Sequence, residues 1–121
     1  MTTFIEPSLP ISMALVRDLL VVTLPSTLTD QILHDATVQI GDRISRHKVR
    51  GVLIDLTAVP VVDKSDFTAI AQLAIRNRVL GSSTTLIGIQ PGVAAYLAEL
   101  NQNTRFIRFA QTMEFALRGH G

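Results

Sequence analysis

Apolar residues fall along the chain in short blocks of two periods. Leu19-Leu20-Val21-Val22-Thr23-Leu24 and Gly51-Val52-Leu53-Ile54-Asp55-Leu56 are almost continuous runs, the pattern of strands covered on both faces. Thr84-Thr85-Leu86-Ile87-Gly88 reads as the next strand. Between them the spacing changes to three and four. Leu33, Ala36, Ile40 and Ile44 share one face of a helix that Thr29 or Asp30 can cap. Phe67, Ile70, Ala71 and Ala74 share one face of a helix running from Ser65 to Leu80, with Gly81 as its C-terminal stop. Pro91 opens a further helix, whose stripe is Val93, Ala94, Leu97 and Leu100. Ile11 to Val16 reads as a weak strand, turning at Arg17-Asp18 into the next. Thr104 to Phe109 reads as a short edge strand or turn, and Thr112 to Arg118 as a last helix. The order β-β-α-β-α-β-α-(β)-α predicts an α/β domain with a mixed, mostly parallel sheet of about four or five strands and about four helices. That domain is expected over residues 11–118, after a lead-in at 1–10 carrying Pro7 and Pro10 and before a flexible tail at 119–121.

Composition narrows the function. The chain of 121 residues is the length of one domain. Apolar residues make up 47% and charged residues only 17%, an excess that points to apolar surface covered by a partner. Net charge is +1 and there is no Trp, so neither a field that steers the chain to nucleic acid nor a base-stacking platform is expected. No membrane partner is expected either, because the apolar runs are far shorter than the roughly 20 residues that span a bilayer. The N-terminus lacks the basic start of a signal peptide, and cysteine is absent, which together suit a cytoplasmic protein.

Candidate chemistry is sparse. There is no phosphate-loop or dinucleotide glycine motif and no nucleophile elbow, and neither a cofactor nor a metal is expected. His34, His47 and His120 have no metal-ligand spacing and read as solvent-facing. With no nucleophile, base and oxyanion set to assemble, the chain is not expected to be an enzyme. Three carboxylates remain. Asp55 ends the best strand, and Asp63 and Asp66 flank the start of the following helix, at the end of the sheet where ligands of open α/β folds gather. A purely structural role is the stronger reading on mechanics alone: Asp63 or Ser65 caps the helix and Asp66 favours its positive end.

Gly51-Val52-Leu53-Ile54-Asp55-Leu56-Thr57-Ala58, Val61-Val62-Asp63, Gly88-Ile89-Gln90-Pro91, Val93-Ala94 and Leu97-Ala98-Glu99-Leu100 together resemble the STAS domain family. The likeness covers nearly the whole chain. Within the family, the Gly-Ile-Gln-Pro turn points to the RsbS-like scaffold branch of the bacterial stressosome. That resemblance implies a non-catalytic interaction domain that binds STAS-domain paralogues (RsbR-like) and a serine kinase (RsbT-like), as a homo- or hetero-oligomer, in stress or sigma-factor signalling. It implies a partner-binding loop and helix start at Asp55, Thr57, Asp63, Lys64, Ser65 and Asp66. It also implies a Ser or Thr phosphoacceptor directly after the motif Asp. Lys64 stands there instead, and cannot accept phosphate. Ser65, one residue on, is the remaining phosphoacceptor candidate, and it would point elsewhere, because one residue rotates a helix by about 100°. Two other roles stay open: a free anti-anti-sigma factor binding an anti-sigma kinase one to one, and a sensor of a small ligand or nucleotide.

Overall fold

A computed structural model describes residues 11–99 and 105–119. The lead-in, Leu100, Thr104 and His120 lie outside the described residues. The elements run β1 (Ser12–Val16), β2 (Leu19–Thr23), α1 (Asp30–Arg46), β3 (Gly51–Asp55), α2 (Lys64–Val79), β4 (Ser83–Ile87), α3 (Pro91–Glu99), β5 (Ile107–Ala110) and α4 (Met113–Gly119). The α/β architecture expected from the alternation is present. Five strands lie in the order β1-β2-β3-β4-β5, with β1 antiparallel to β2 and every other neighbour parallel. Most boundaries differ from the expected ones by a residue or two: α2 begins at Lys64, β4 at Ser83, and α4 includes Gly119, which was expected in the tail, while β5 begins at Ile107, three residues after the expected Thr104.

Strand order in space follows strand order in the chain. Right-handed crossovers that step always in the same direction place their helices on one face of the sheet. The packing agrees. Val22, Val52, Ile54 and Leu86 of the sheet share one core with Leu33, Ala36 and Ile40 of α1, Phe67, Ile70 and Ala74 of α2, and Leu97 of α3. The opposite face carries a smaller cluster, Leu19, Leu53 and Ile87 under Ala116 of α4. α4 packs chiefly on β3, β4 and β5, and the β1–β2 side is less covered: Ala14 and Val16 are exposed and Val21 is half-buried. β3 sits centrally, and its run from Gly51 to Ile54 is buried on both faces, which is why its sequence does not alternate.

Local chemistry sets the helix ends. Thr29, not Asp30, caps α1: its hydroxyl accepts from the Ile32 amide at 3.1 Å. After α2, Ser82 N–H donates to the Asn77 carbonyl at 2.8 Å and Gly81 N–H to that of Arg78 at 2.9 Å. This is a Schellman closure, and it requires the left-handed φ of 95° that Gly81 supplies. Among the described residues no helix is long and apolar enough to cross a membrane.

Candidate functional site

Three motif segments, Asp55 to Ala58, Val61 to Asp63 and Gly88 to Pro91, lie apart in sequence and meet at one end of the sheet. β3 and β4 run parallel with Asp55 beside Ile87, so the loops that follow leave the sheet side by side. Asp55 is used locally: its carboxylate accepts from the Thr57 amide at 2.9 Å and turns the chain out of the strand. Thr57 then lies directly against Gly88, whose φ is 84°. A β-carbon on Gly88 would meet the Thr57 hydroxyl, its Cα at 2.9 Å and its backbone nitrogen at 3.0 Å. The two loops are therefore packed backbone to backbone. Leu56, Val59, Val62, Gly88, Ile89 and Val93 line a small space between them. Val61, at the outer side, is 70% exposed.

This platform delivers the chain to α2. Asp63 is the N-cap, at φ −83° and ψ 178°. Its carboxylate accepts from the Asp66 amide at 2.7 Å, and Asp66 returns the contact by accepting from the Asp63 amide at 3.2 Å. The pair forms a capping box, with Asp in the place that Glu or Gln more often takes. Of the two expected caps, Asp63 fills the role and Ser65 does not. That leaves the Ser65 side chain exposed and without a hydrogen bond among the described residues. Lys64, the first helical residue, is also exposed, and Thr68 donates to the Lys64 carbonyl at 2.8 Å.

Ser65 heads a solvent-facing strip of α2 continued by Thr68, Ala69 and Gln72. It also reaches a groove of about 410 Å³ between α1 and α2, with Asp30, His34 and Thr37 on the far wall and Arg76 at its end. The groove was not legible in the sequence, since Asp30 and His34 are brought to Ser65 only by the packing of α1 on α2. His34 and His47 are exposed, as expected of helix-surface histidines. No group of three or more potential metal ligands occurs among the described residues.

Partial burial holds the Asp66 carboxyl above its ordinary range, and the nearby Asp63 and Asp30 carboxylates add to the effect. The folded state therefore binds this proton more tightly than the unfolded chain does. Its contribution to stability is full at pH below the ordinary carboxylate pKa and is lost as pH rises through the higher folded value. Urea titrations of the wild type and Asp66→Asn from pH 3 to 7 test the sign. The stability of the wild type relative to Asp66→Asn is expected to fall as pH rises. A difference that grows with pH contradicts the assignment.

A model of the STAS domain matches residues 11–116. Among solved structures, a variant of RsbS from Moorella thermoacetica is 25% identical, with a TM-score of 0.71 over 90% of this chain and 92% of that one. A chain from a structure of the stressosome, described as a signal integration and transduction hub, is 27% identical, with a TM-score of 0.76 over 89% and 94%. Bacillus SpoIIAA in its phosphorylated form is 14% identical at a TM-score of 0.68 over 92% and 99%, a likeness of fold alone. No curated protein matches the chain significantly.

Proposed function

The chain belongs to the STAS domain family, and from that premise we propose that it is a non-catalytic, RsbS-like scaffold subunit acting in the bacterial cytoplasm. It assembles with RsbR-like STAS paralogues and holds an RsbT-like serine kinase in a stress or sigma-factor signalling pathway. One observation carries this reading. Three of the segments that resemble the family converge on an exposed platform made of the Thr57–Gly88 contact, the protruding Val61 and the capped start of α2. An apolar tip beside a polar helix start is suited to a protein partner, because it offers both desolvation area and orienting hydrogen bonds. The partner surface comprises Asp55, Thr57, Asp63, Lys64, Ser65 and Asp66, with Asp55 and the Asp63–Asp66 pair shaping it and Val61, Lys64 and Ser65 making contact.

In this reading the switch is absent and the subunit is a constitutive scaffold. The exposed Lys64 stands where the family's acceptor is expected. Ser65 is accessible, but it lies over the α1–α2 groove beside Asp30 and next to Asp66, and both carboxylates oppose a phosphate there. Incubation with the RsbT-like kinase and ATP, followed by intact mass, tests this. No mass change is expected for the wild type, while kinase binding persists. One added phosphate is expected for Lys64→Ser, at the new serine. A phosphate on the wild type that disappears in Ser65→Ala would restore the switch and overturn the constitutive reading. Light scattering of the chain mixed with its STAS paralogue should show a large particle; monomers and dimers alone would favour a free anti-anti-sigma factor.

A further inference from the structure

The end of the sheet opposite the α2 N-terminus holds a different chemistry. β3, β4 and β5 all begin there, and a concave cavity of about 540 Å³ opens between their leading residues and the last turn of α2. Arg50 enters from the residue before β3, Arg78 from α2, Arg105 from the turn before β5, and Arg108 from β5 itself. Ser83 and Phe106 complete the part that matters. Among the described residues, no aspartate or glutamate lines the cavity. Arg78 and Arg105 lie over the same Phe106 ring, at 4.8 Å and 5.8 Å from its centroid. Arg50 is engaged with Asp18 at 3.3 Å. Arg78, Arg105 and Arg108 have no carboxylate in ion-pair range among the described residues.

A chain with net charge +1 thus concentrates four of its eleven basic residues around one concavity without an acidic lining. The position of Arg78 near the C-terminus of α2 suits the helix dipole by itself. That explanation does not extend to Arg105 and Arg108, which belong to no helix. Cation–π contact gathers two guanidiniums on one ring, and an anion between them would offset the mutual repulsion that water and salt only partly screen. Guanidinium forks match phosphate oxygens in a bidentate way.

We propose that this cavity binds a compact phosphate chain, of the kind found in inorganic pyrophosphate, tripolyphosphate and nucleoside polyphosphates. The arginines come from separate segments, so a ligand with several linked oxyanions is needed to reach them together. Arg78 and Arg105 already lie over the Phe106 ring, and a base would have to displace them to stack on it. Recognition therefore rests on the phosphates. The site shares no residue with the platform at the start of α2. It stands or falls apart from the scaffold reading, since α2 is 16 residues long and separates the two ends by about 24 Å at 1.5 Å per residue.

Calorimetric titration of the full chain with sodium tripolyphosphate at low and moderate salt is the test, with ATP, orthophosphate and a ten-residue glutamate peptide as comparisons. Saturable one-to-one binding of tripolyphosphate is expected. It should weaken about tenfold or more in Arg78→Gln and in Arg105→Gln, as the loss of one charge-assisted bidentate contact implies. Arg105→Lys should lie between these and the wild type. All three side chains are exposed, so the variants should melt as the wild type does. Should Arg78→Gln fail to fold, Arg105→Gln and Arg108→Gln carry the same reading. ATP binding as tightly as tripolyphosphate supports recognition of the phosphate chain alone. No saturable binding, equal binding of orthophosphate, or unchanged affinity in the variants overturns the proposal. Displacement by the glutamate peptide at lower concentration than tripolyphosphate also overturns it, in favour of an acidic protein segment.

Discussion

Gly88→Ala is expected to lower stability by about 2 to 4 kcal/mol and to loosen the partner platform at the same time. Two costs combine. A φ of 84° lies in the left-handed region, where a β-carbon costs about 1 to 2 kcal/mol. The new β-carbon would also press on Thr57 backbone atoms at 2.9 Å and 3.0 Å, where no flexible side chain can yield. Forcing such a contact costs about 1 to 3 kcal/mol, part of the total being offset by the lower entropy of the unfolded alanine chain. Gly81→Ala is the control. Its φ is 95°, but a β-carbon there meets nothing within 4 Å. Only the strain term remains, and a loss of about 1 kcal/mol is expected. Urea unfolding of both variants measures the gap, and thermal unfolding should show a drop in Tm on the order of 10 °C for Gly88→Ala. If the two variants lose equal stability, the backbone contact between the loops is not a constraint. Hydrogen exchange should rise at Thr57 to Val62 in Gly88→Ala and stay unchanged there in Gly81→Ala.

Phe67→Ala is expected to be the most destabilising single change near the site, at about 3 to 5 kcal/mol. Phe67 is fully buried and sits four residues after the Asp63 cap. It packs in the main core with residues of α1 and the sheet, and so fixes where the first turn of α2 stands. Deleting the ring removes its transfer free energy and leaves a cavity that rigid neighbours fill only in part. Against a domain stability of about 5 to 15 kcal/mol, such a loss leaves a marginal fold. Phe115→Ala makes the comparison: that ring is 61% exposed on α4, and a change within about 0.5 kcal/mol is expected. Chemical denaturation of the two variants should separate them by several-fold in ΔΔG. Equal effects would mean that Phe67 does not anchor the helix.

Much of this protein was legible along the chain. Nearly continuous apolar runs marked β2 and β3, because a strand buried on both faces need not alternate, whereas in β4 only Leu86 and Ile87 are apolar. Three-and-four spacing marked the buried faces of α1 and α2, and Gly81 marked where α2 ends, because a Schellman closure needs a positive φ. These are local or periodic properties, and each is carried by neighbouring residues. The residues of the helix start were named as well, but their roles were not separable. Asp63 and Ser65 both have oxygen atoms suited to a cap. Which one serves depends on where the backbone leaves the extended region, and that is set by how the loop from Thr57 is held.

Tertiary structure decided the rest. The contact of Thr57 with Gly88 joins segments 31 positions apart and exists only because β3 and β4 are parallel neighbours in one register. The groove beside Ser65 exists only because right-handed crossovers put α1 and α2 on the same face of the sheet. The arginine-lined cavity draws on residues 50, 78, 105 and 108, which show no pattern in the sequence and meet where three parallel strands begin. Sequence alone determined which residues are apolar, how they repeat and where the chain must turn. The pairing of strands and the side taken by each crossover determined which side chains face one another, because proximity across a sheet depends on strand register and not on distance along the chain.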